Sequence, residues 1–186
     1  STAYSIFFVA PLLITALSVP ILRERVGPRR WSAILVGLLG VLVVLRPSGE
    51  GVFTWAGLAV LVAAFVYAVS AITVRVLART DSTQAITVWL LALMALGAGV
   101  LALPGWVPLR LEHAGLVAGL GVAGALGQYA ITEAFRLREA SRIAPLEYTA
   151  LLWGVGLDLA LWGVLPDGVT WLGAGIIIAS GLYLLR

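Results

Sequence analysis

The chain has 186 residues, of which 61% are hydrophobic and 11% charged, and it contains no cysteine. Soluble domains carry about 25% charged residues, so the composition excludes an ordinary soluble protein and predicts an all-α, polytopic membrane bundle. The net charge is +3, but every basic residue is an arginine at the end of an apolar segment, which indicates membrane topology and not nucleic-acid binding.

Seven apolar segments follow one another with short connections, and each is a predicted transmembrane helix. Glycine, proline and charged residues separate them, and no soluble domain or linker interrupts the series. The segments, in chain order, are residues 4–22, 31–45, 53–77, 85–103, 114–137, 143–164 and 169–185.

The arginines divide unequally between alternate connections. Only Arg46 and Arg110 fall on one side of the predicted membrane, and the other ten fall on the opposite side. Cytoplasmic loops carry the excess of positive charge, so we expect the arginine-rich side and the C-terminus to be cytoplasmic.

The two ends of the chain show an internal repeat. The shift that places Trp31 on Trp171, which we name the repeat shift, also places Leu45 on Leu185 and Arg46 on Arg186. It relates segments one and two to segments six and seven, which are five helices further on and therefore cross the membrane in the opposite direction. This is the inverted-repeat plan of secondary transporters, whose solute site lies between the repeats.

Two stretches carry a resemblance to a known family. ASRIAPLEYT at 140–149, LPD at 165–167 and the glycine-rich last segment resemble the end of the second repeat of the EamA family, in the drug/metabolite transporter superfamily. APLLITALSVPILRERVGPRRW at 10–31 resembles the end of the first repeat. Val164 departs from the family pattern, which usually has a glutamate there.

The resemblance implies a ten-helix protein in two inverted halves of five, which moves small organic solutes across the bacterial inner membrane. Residues 1–47 would then be the last two helices of the first repeat, residues 53–186 the whole second repeat, and the first three helices would precede this fragment.

Two carboxylates within segment six are the main candidates for a solute site. Glu147 and Asp158 are 11 residues apart, so they share one helix face about 16 Å apart, with Leu151 and Gly154 between them. Acids inside a membrane span usually face protein or a water-filled path. The alternatives are pairing of Glu147 with Arg142 and pairing of Asp158 with another helix. Proton exchange at either acid is a hypothesis.

Polar and aromatic side chains on three segments complete the candidate solute site. Their alternative roles are packing, membrane-interface anchoring and bonding to their own backbone. These side chains are Trp153 and Tyr148 in segment six, Gln128 and Tyr129 in segment five, and Tyr67 and Ser70 in segment three.

Segment five also has small residues at four-residue spacing, which predicts close packing against another helix. They are Gly115, Gly119, Ala123 and Gly127. At its cytoplasmic end Glu133 precedes Arg136 by three residues, which fits an ion pair along the helix.

Together these features predict a secondary transporter that works by alternating access on a small metabolite or drug. The alternatives are a membrane receptor or accessory subunit without flux and, less favoured, a membrane enzyme. We expect no catalytic residues, because Glu147 and Asp158 are too far apart for one reaction centre and the single histidine, His113, stands at a segment boundary. The chain has no phosphate-binding loop, metal-ligand set or cofactor motif. The expected partners are a solute, protons and the lipid bilayer, and a homodimer is compatible with this plan.

Overall fold

The computed structural model describes residues 6–46, 54–108, 110–163 and 165–185. Residues 4 and 53, at which two predicted segments begin, as well as Val164 and Arg186, lie outside this part. Within it, all regular structure is helical. The α-helices are α1 (Ala10–Leu22), α2 (Pro28–Leu45), α3 (Trp55–Leu77), α4 (Thr83–Ala102), α5 (Ala114–Leu137), the short α6 (Ala140–Ile143), α7 (Thr149–Trp162) and α8 (Gly168–Leu185).

The predicted segments correspond to these helices, and each ends within two residues of the helix it predicts. The starts agree less well: segment one begins at residue 4 and α1 at Ala10, segment two begins at 31 and α2 at Pro28, and segment six is composite. A 3₁₀ stretch, Ala144–Tyr148, connects α6 to α7, with Pro145 near its beginning. Proline has no N–H to donate, and 3₁₀ turns are common where an α-helix is interrupted. Glu147 and Tyr148 therefore lie in a tighter turn than the uniform α-helix assumed from the sequence.

Left-handed residues end three of the helices. Arg23 ends α1 with φ 56°, Arg46 ends α2 with φ 44°, and Gly163 ends α7 with φ 65°. This conformation closes a helix by turning the chain away from the helix axis. It is unfavourable for a residue with a side chain, so the two arginines hold it at some cost.

Four helical stretches are long and apolar enough to cross a bilayer: Pro28–Leu45, Trp55–Leu77, Thr83–Gly105 and Leu111–Leu137. Ala10–Leu22 and Gly168–Tyr183 are also apolar but shorter. Large apolar side chains stand exposed along these helices, including Leu101 at 83% and Leu116 at 75%. Such surfaces are stable against lipid and not against water.

The chain divides into two compact units. The larger one covers 1–73 and 138–186, and the smaller one is Val74–Leu137, in which α4 packs against α5. In the larger unit the most extensive contact is between α2 and α8. Its core contains Val41, Tyr148 and Ile177, and Phe8 and Leu151 pack against them.

Glycines allow α2 and α8 to approach closely. A Cβ atom at Gly40 would lie 2.8 Å from Ile177 Cγ1, and one at Gly173 would lie 2.8 Å from the Gly40 carbonyl oxygen. Without a side chain the two backbones can touch, as is common in membrane helix pairs. The close contact that we expected at Gly115, Gly119 and Gly127 of α5 is not seen, because nothing in the described part of the chain lies within 4 Å of those positions.

Candidate functional site

Glu147 is held by a tyrosine from another helix. The Tyr67 hydroxyl of α3 donates to Glu147 Oε1 at 3.0 Å, and both side chains are partly buried. The bond joins two candidate site residues that are 80 positions apart in the chain. Arg142 bonds Glu139 instead, so the alternative pairing with Glu147 is not what the structure shows.

Aromatic rings surround this hydrogen bond. Phe7 packs on Tyr67 with ring centroids 5.5 Å apart, and Phe8 packs on Tyr148 at 6.1 Å. Tyr148 is fully buried, and its hydroxyl has no hydrogen-bond partner among the described residues. The ring fits because Gly37 has no side chain: a Cβ there would lie 2.6 Å from Tyr148 Cδ2.

Asp158 is exposed and lines a recess of about 450 Å³ in the larger unit. Leu151 and Gly154 line it too, so these three residues share a face as the spacing predicted. Glu147 is not among the residues that line the recess. Trp153 is 74% exposed on the same helix.

Asp167, which also lines the recess, forms an ion pair with Arg46. Asp167 accepts from the Arg46 guanidinium, from Thr170 Oγ1 at 2.6 Å and from the Thr170 N–H at 3.0 Å, which caps the start of α8. The hydrogen bond from Arg46, followed by those from Thr170, holds the pKa of Asp167 well below its usual range.

The remaining candidates make local contacts. Ser70 is partly buried on α3, and Thr73, one turn later, donates to its own helix at the Val69 carbonyl. In the smaller unit Gln128 donates to Thr132 at 3.3 Å, and Tyr129 is 39% exposed.

The expected ion pair at the end of α5 is confirmed. Arg136 lies 3.5 Å from Glu133, which also accepts from the Thr83 hydroxyl. Thr83 is buried, so this group ties the start of α4 to the end of α5 within the smaller unit.

A second charged group joins the arginine-rich connections of the larger unit. Glu24 accepts from the backbone N–H groups of Ala140 at 2.8 Å and Ser141 at 3.0 Å, and so caps α6. Arg30 donates to Ser141 Oγ at 2.9 Å and lies 2.7 Å from Glu139. Burial raises the pKa of Glu139, but Arg30 and Arg142 outweigh that effect and hold it below its usual range.

Sequence reasoning missed three residues that shape these sites: Phe7, Glu24 and Gly37. Phe7 and Gly37 are apolar residues in apolar segments, and no pattern distinguishes them from their neighbours. Glu24 was a detectable signal, since it is an acid in an otherwise basic connection. Its partners are backbone N–H groups in a distant part of the chain, which spacing does not predict.

The apolar helices, the exposed apolar surface and the partly buried acid define a polytopic membrane protein. The model of the EamA-like transporter family matches residues 54–186, and the chain belongs to that family. It is an integral membrane protein with helices able to span the bilayer.

Individual relatives agree with this assignment. The riboflavin transporters of Vibrio cholerae and Rhizobium johnstonii are 35% and 32% identical over 98% and 99% of this chain. The pseudopaline exporter CntI of Pseudomonas aeruginosa is 27% identical over 96%. The chain spans 61% of each riboflavin transporter and 63% of CntI. These relatives are named as transporters and not as enzymes.

A solved crystal structure shares the fold. It matches with a TM-score of 0.81 and 23% identity over 98% of this chain and 66% of its own. At that identity the likeness concerns the fold alone.

Proposed function

We propose that this chain forms the last seven helices of a ten-helix secondary transporter, which carries a small organic metabolite by alternating access. Residues 1–47 would end the first repeat and residues 53–186 would form the second. Family membership and the names of the relatives support this function. The observation that carries it is the hydrogen bond between Tyr67 and Glu147, a polar contact between helices inside an apolar bundle.

The helix bounds support the inverted repeat. The repeat shift carries both ends of α2 onto both ends of α8, from 28 to 168 and from 45 to 185. It also carries the left-handed Arg23 onto the left-handed Gly163. Moved by the same shift, α1 would cover 150–162, and α7 covers Thr149–Trp162.

The buried faces support it too. The buried positions of α2 from 33 to 40 and those of α8 coincide under the repeat shift. The pairs are Ala33 with Gly173, Ile34 with Ala174, Gly37 with Ile177 and Gly40 with Ser180.

The contacts have the form that a two-fold axis requires. Gly37 lies against Ser180, and Gly40 lies against Ile177. The repeat shift carries 37 onto 177 and 40 onto 180, so the second contact is the first one with the two repeats exchanged. Phe8 and Tyr148, which also correspond under the repeat shift, pack on each other, as equivalent residues do beside such an axis. Solute sites in inverted-repeat transporters lie near this axis. The cluster around Glu147 is next to these rings, which favours it as the solute site.

Within this proposal Glu147 and Tyr67 contact the solute, and the fully buried Tyr148 supports them from the core. Asp158 and Trp153 line the solute's outer path, with Ser70 beside it. Gln128 and Tyr129, in the smaller unit, stay predictions. The Glu147 carboxyl group can also bind a proton and release it when the solute binds, which would couple transport to the pH gradient. The arginine-rich side and the C-terminus are cytoplasmic in this arrangement.

Riboflavin is the first solute to test, because two of the relatives are riboflavin transporters. We expect the full-length protein in lipid vesicles to move labelled riboflavin, and Glu147→Ala to lower the rate by about tenfold or more, as for loss of a hydrogen bond to a charged group. Glu112→Ala, an exposed acid paired with Arg110, is the matched control. Unchanged flux in the Glu147 variant would remove this residue from the site.

The coupling proposal has a separate measurement. Uptake driven by a pH gradient should disappear in Glu147→Gln, which keeps the shape of the side chain but cannot release a proton. Exchange of solute without a gradient should remain measurable. Gradient-driven uptake that persists in this variant and in Asp158→Asn would exclude proton exchange at these acids.

A further inference from the structure

The carboxylate of Glu147 is oriented at one oxygen and open at the other. Tyr67 donates to Oε1 at 3.0 Å, and Oε2 has no hydrogen bond or ion pair with any described residue. Glu147 is partly buried, so it is neither fully enclosed in the core nor fully in solvent. In its ionised form the carboxyl group is purely an acceptor, so a group that binds Oε2 in that form must donate a hydrogen.

The surface next to this acceptor is aromatic. Phe7 is the repeat equivalent of Glu147, since the repeat shift carries one position onto the other, and both touch Tyr67. One repeat therefore presents an acid to Tyr67 and the other presents a phenyl ring. The Phe7 and Tyr67 rings are tilted by 46° and give two flat faces beside the carboxylate.

We infer that Phe7, Tyr67 and Glu147, which we name the acid–aromatic cluster, bind a planar nitrogen heterocycle that carries a ring N–H. The N–H donates to Glu147 Oε2, and the ring lies against Phe7 and Tyr67 as aromatic pairs do. Tyr67 is the positioning residue, because it fixes the carboxylate through Oε1. Phe7 determines specificity for a flat solute. This inference rests on the proposed function and names the solute class for its site.

Riboflavin and its analogue methylated on the imide nitrogen are the probes. The methyl group removes the N–H and leaves the ring flat. In binding to the purified full-length protein, we expect the methylated compound to bind more weakly by about tenfold or more, because a charged acceptor loses its donor. In Glu147→Ala the two compounds should bind equally, since the acceptor is gone.

Two further variants separate the roles. Phe7→Leu should weaken the binding of both compounds to a similar extent and keep the ratio of their affinities, because it removes the ring contact and not the acceptor. Tyr67→Phe should lower the ratio of the two affinities and still give a protein that unfolds cooperatively, since only one hydroxyl is lost. Tyr183→Phe is the matched control, on a tyrosine whose ring lies under Arg29. It should change neither the affinity for riboflavin nor the ratio of the two affinities.

Equal binding of the two compounds to the wild type, or no binding of either, overturns the inference. A ratio that survives in Glu147→Ala overturns it as well. Vesicle flux is the separate readout for transport. If the protein binds riboflavin more tightly than the methylated analogue but moves neither, the cluster is supported and the transporter proposal is wrong. If it moves riboflavin but binds both compounds equally, the transporter proposal stands and the cluster is overturned.

Discussion

At the scale of single residues, the absence of a side chain at Gly37 determines how the buried core is built. The Tyr148 ring occupies the space that a Cβ at Gly37 would need, with Ser180 Oγ 3.1 Å from the same point. Close-packed interiors tolerate added atoms poorly because their neighbours cannot move independently. The aromatic ring beside Glu147 therefore depends on a glycine from another helix.

Gly37→Ala should lower the free energy of unfolding by about 1–3 kcal/mol, the usual cost of overpacking a core. Thermal unfolding of the full-length protein in detergent measures it. Gly175→Ala is the matched control: it is a helical glycine with nothing within 4 Å, so it should be neutral or slightly stabilising. Equal melting temperatures for both variants would contradict this account of the packing.

Asp167 should make stability depend on acid pH. Its pKa is lower in the folded protein than in the unfolded chain, so its contribution is complete above its ordinary value of 3.8 and is lost as the pH falls through the lower folded value. Asp167→Asn keeps the cap on α8 but loses the ion pair with Arg46. Melting curves recorded from pH 7 downward should show a smaller acid-dependent loss below about pH 4 in this variant than in the wild type.

At the scale of elements, α6 is too short to be stable alone and depends on the connection between α1 and α2. Its four residues begin with N–H groups that have no partner inside the helix, and Glu24 accepts from two of the N–H groups there. Helix starts need such acceptors. This cap holds the short helix that leads directly into the 3₁₀ stretch with Glu147.

Glu24→Ala should reduce the free energy of unfolding by about 1–3 kcal/mol, because two partly buried N–H groups lose their acceptor. Glu24→Gln keeps one acceptor oxygen and should lose less. Chemical or thermal unfolding gives the order, with Glu112→Ala as the exposed control. A Gln variant as unstable as the Ala variant would show that charge, and not the cap, is what matters.

At the scale of the whole molecule, the arginine distribution predicts one orientation in the membrane. Thr80 follows α3 on the arginine-rich side, and Leu111 precedes α5 on the other side and is 92% exposed. The chain has no cysteine of its own, so a single introduced thiol reports one position.

In a cysteine-free full-length protein, Leu111→Cys should react with a membrane-impermeant maleimide applied to intact cells. Thr80→Cys should react only after the cells are opened. The reverse pattern would invert the topology and place the C-terminus outside.

The sequence by itself determined the all-helical class, the order of the segments and where each one ends, because each helix depends on a local run of apolar residues and on the residues that interrupt it. It also predicted an inverted repeat, which stays a prediction, and Trp31 and Trp171 have the same register relative to the ends of their helices. It identified Glu147, Tyr67 and Tyr148 as polar groups that an apolar bundle must satisfy. It did not predict the partners of these groups.

Only the tertiary structure decided those partners. Tyr67 was one of several polar residues on its helix. Glu147 reaches it from a 3₁₀ turn that contains Pro145 and follows the helix α6, which Glu24 caps. Phe7 and Gly37 contact residues of the candidate site through packing between segments far apart in the chain. The physical reason is that hydropathy and spacing act along a helix, whereas hydrogen bonds and close contacts between helices depend on crossing points that no local pattern specifies.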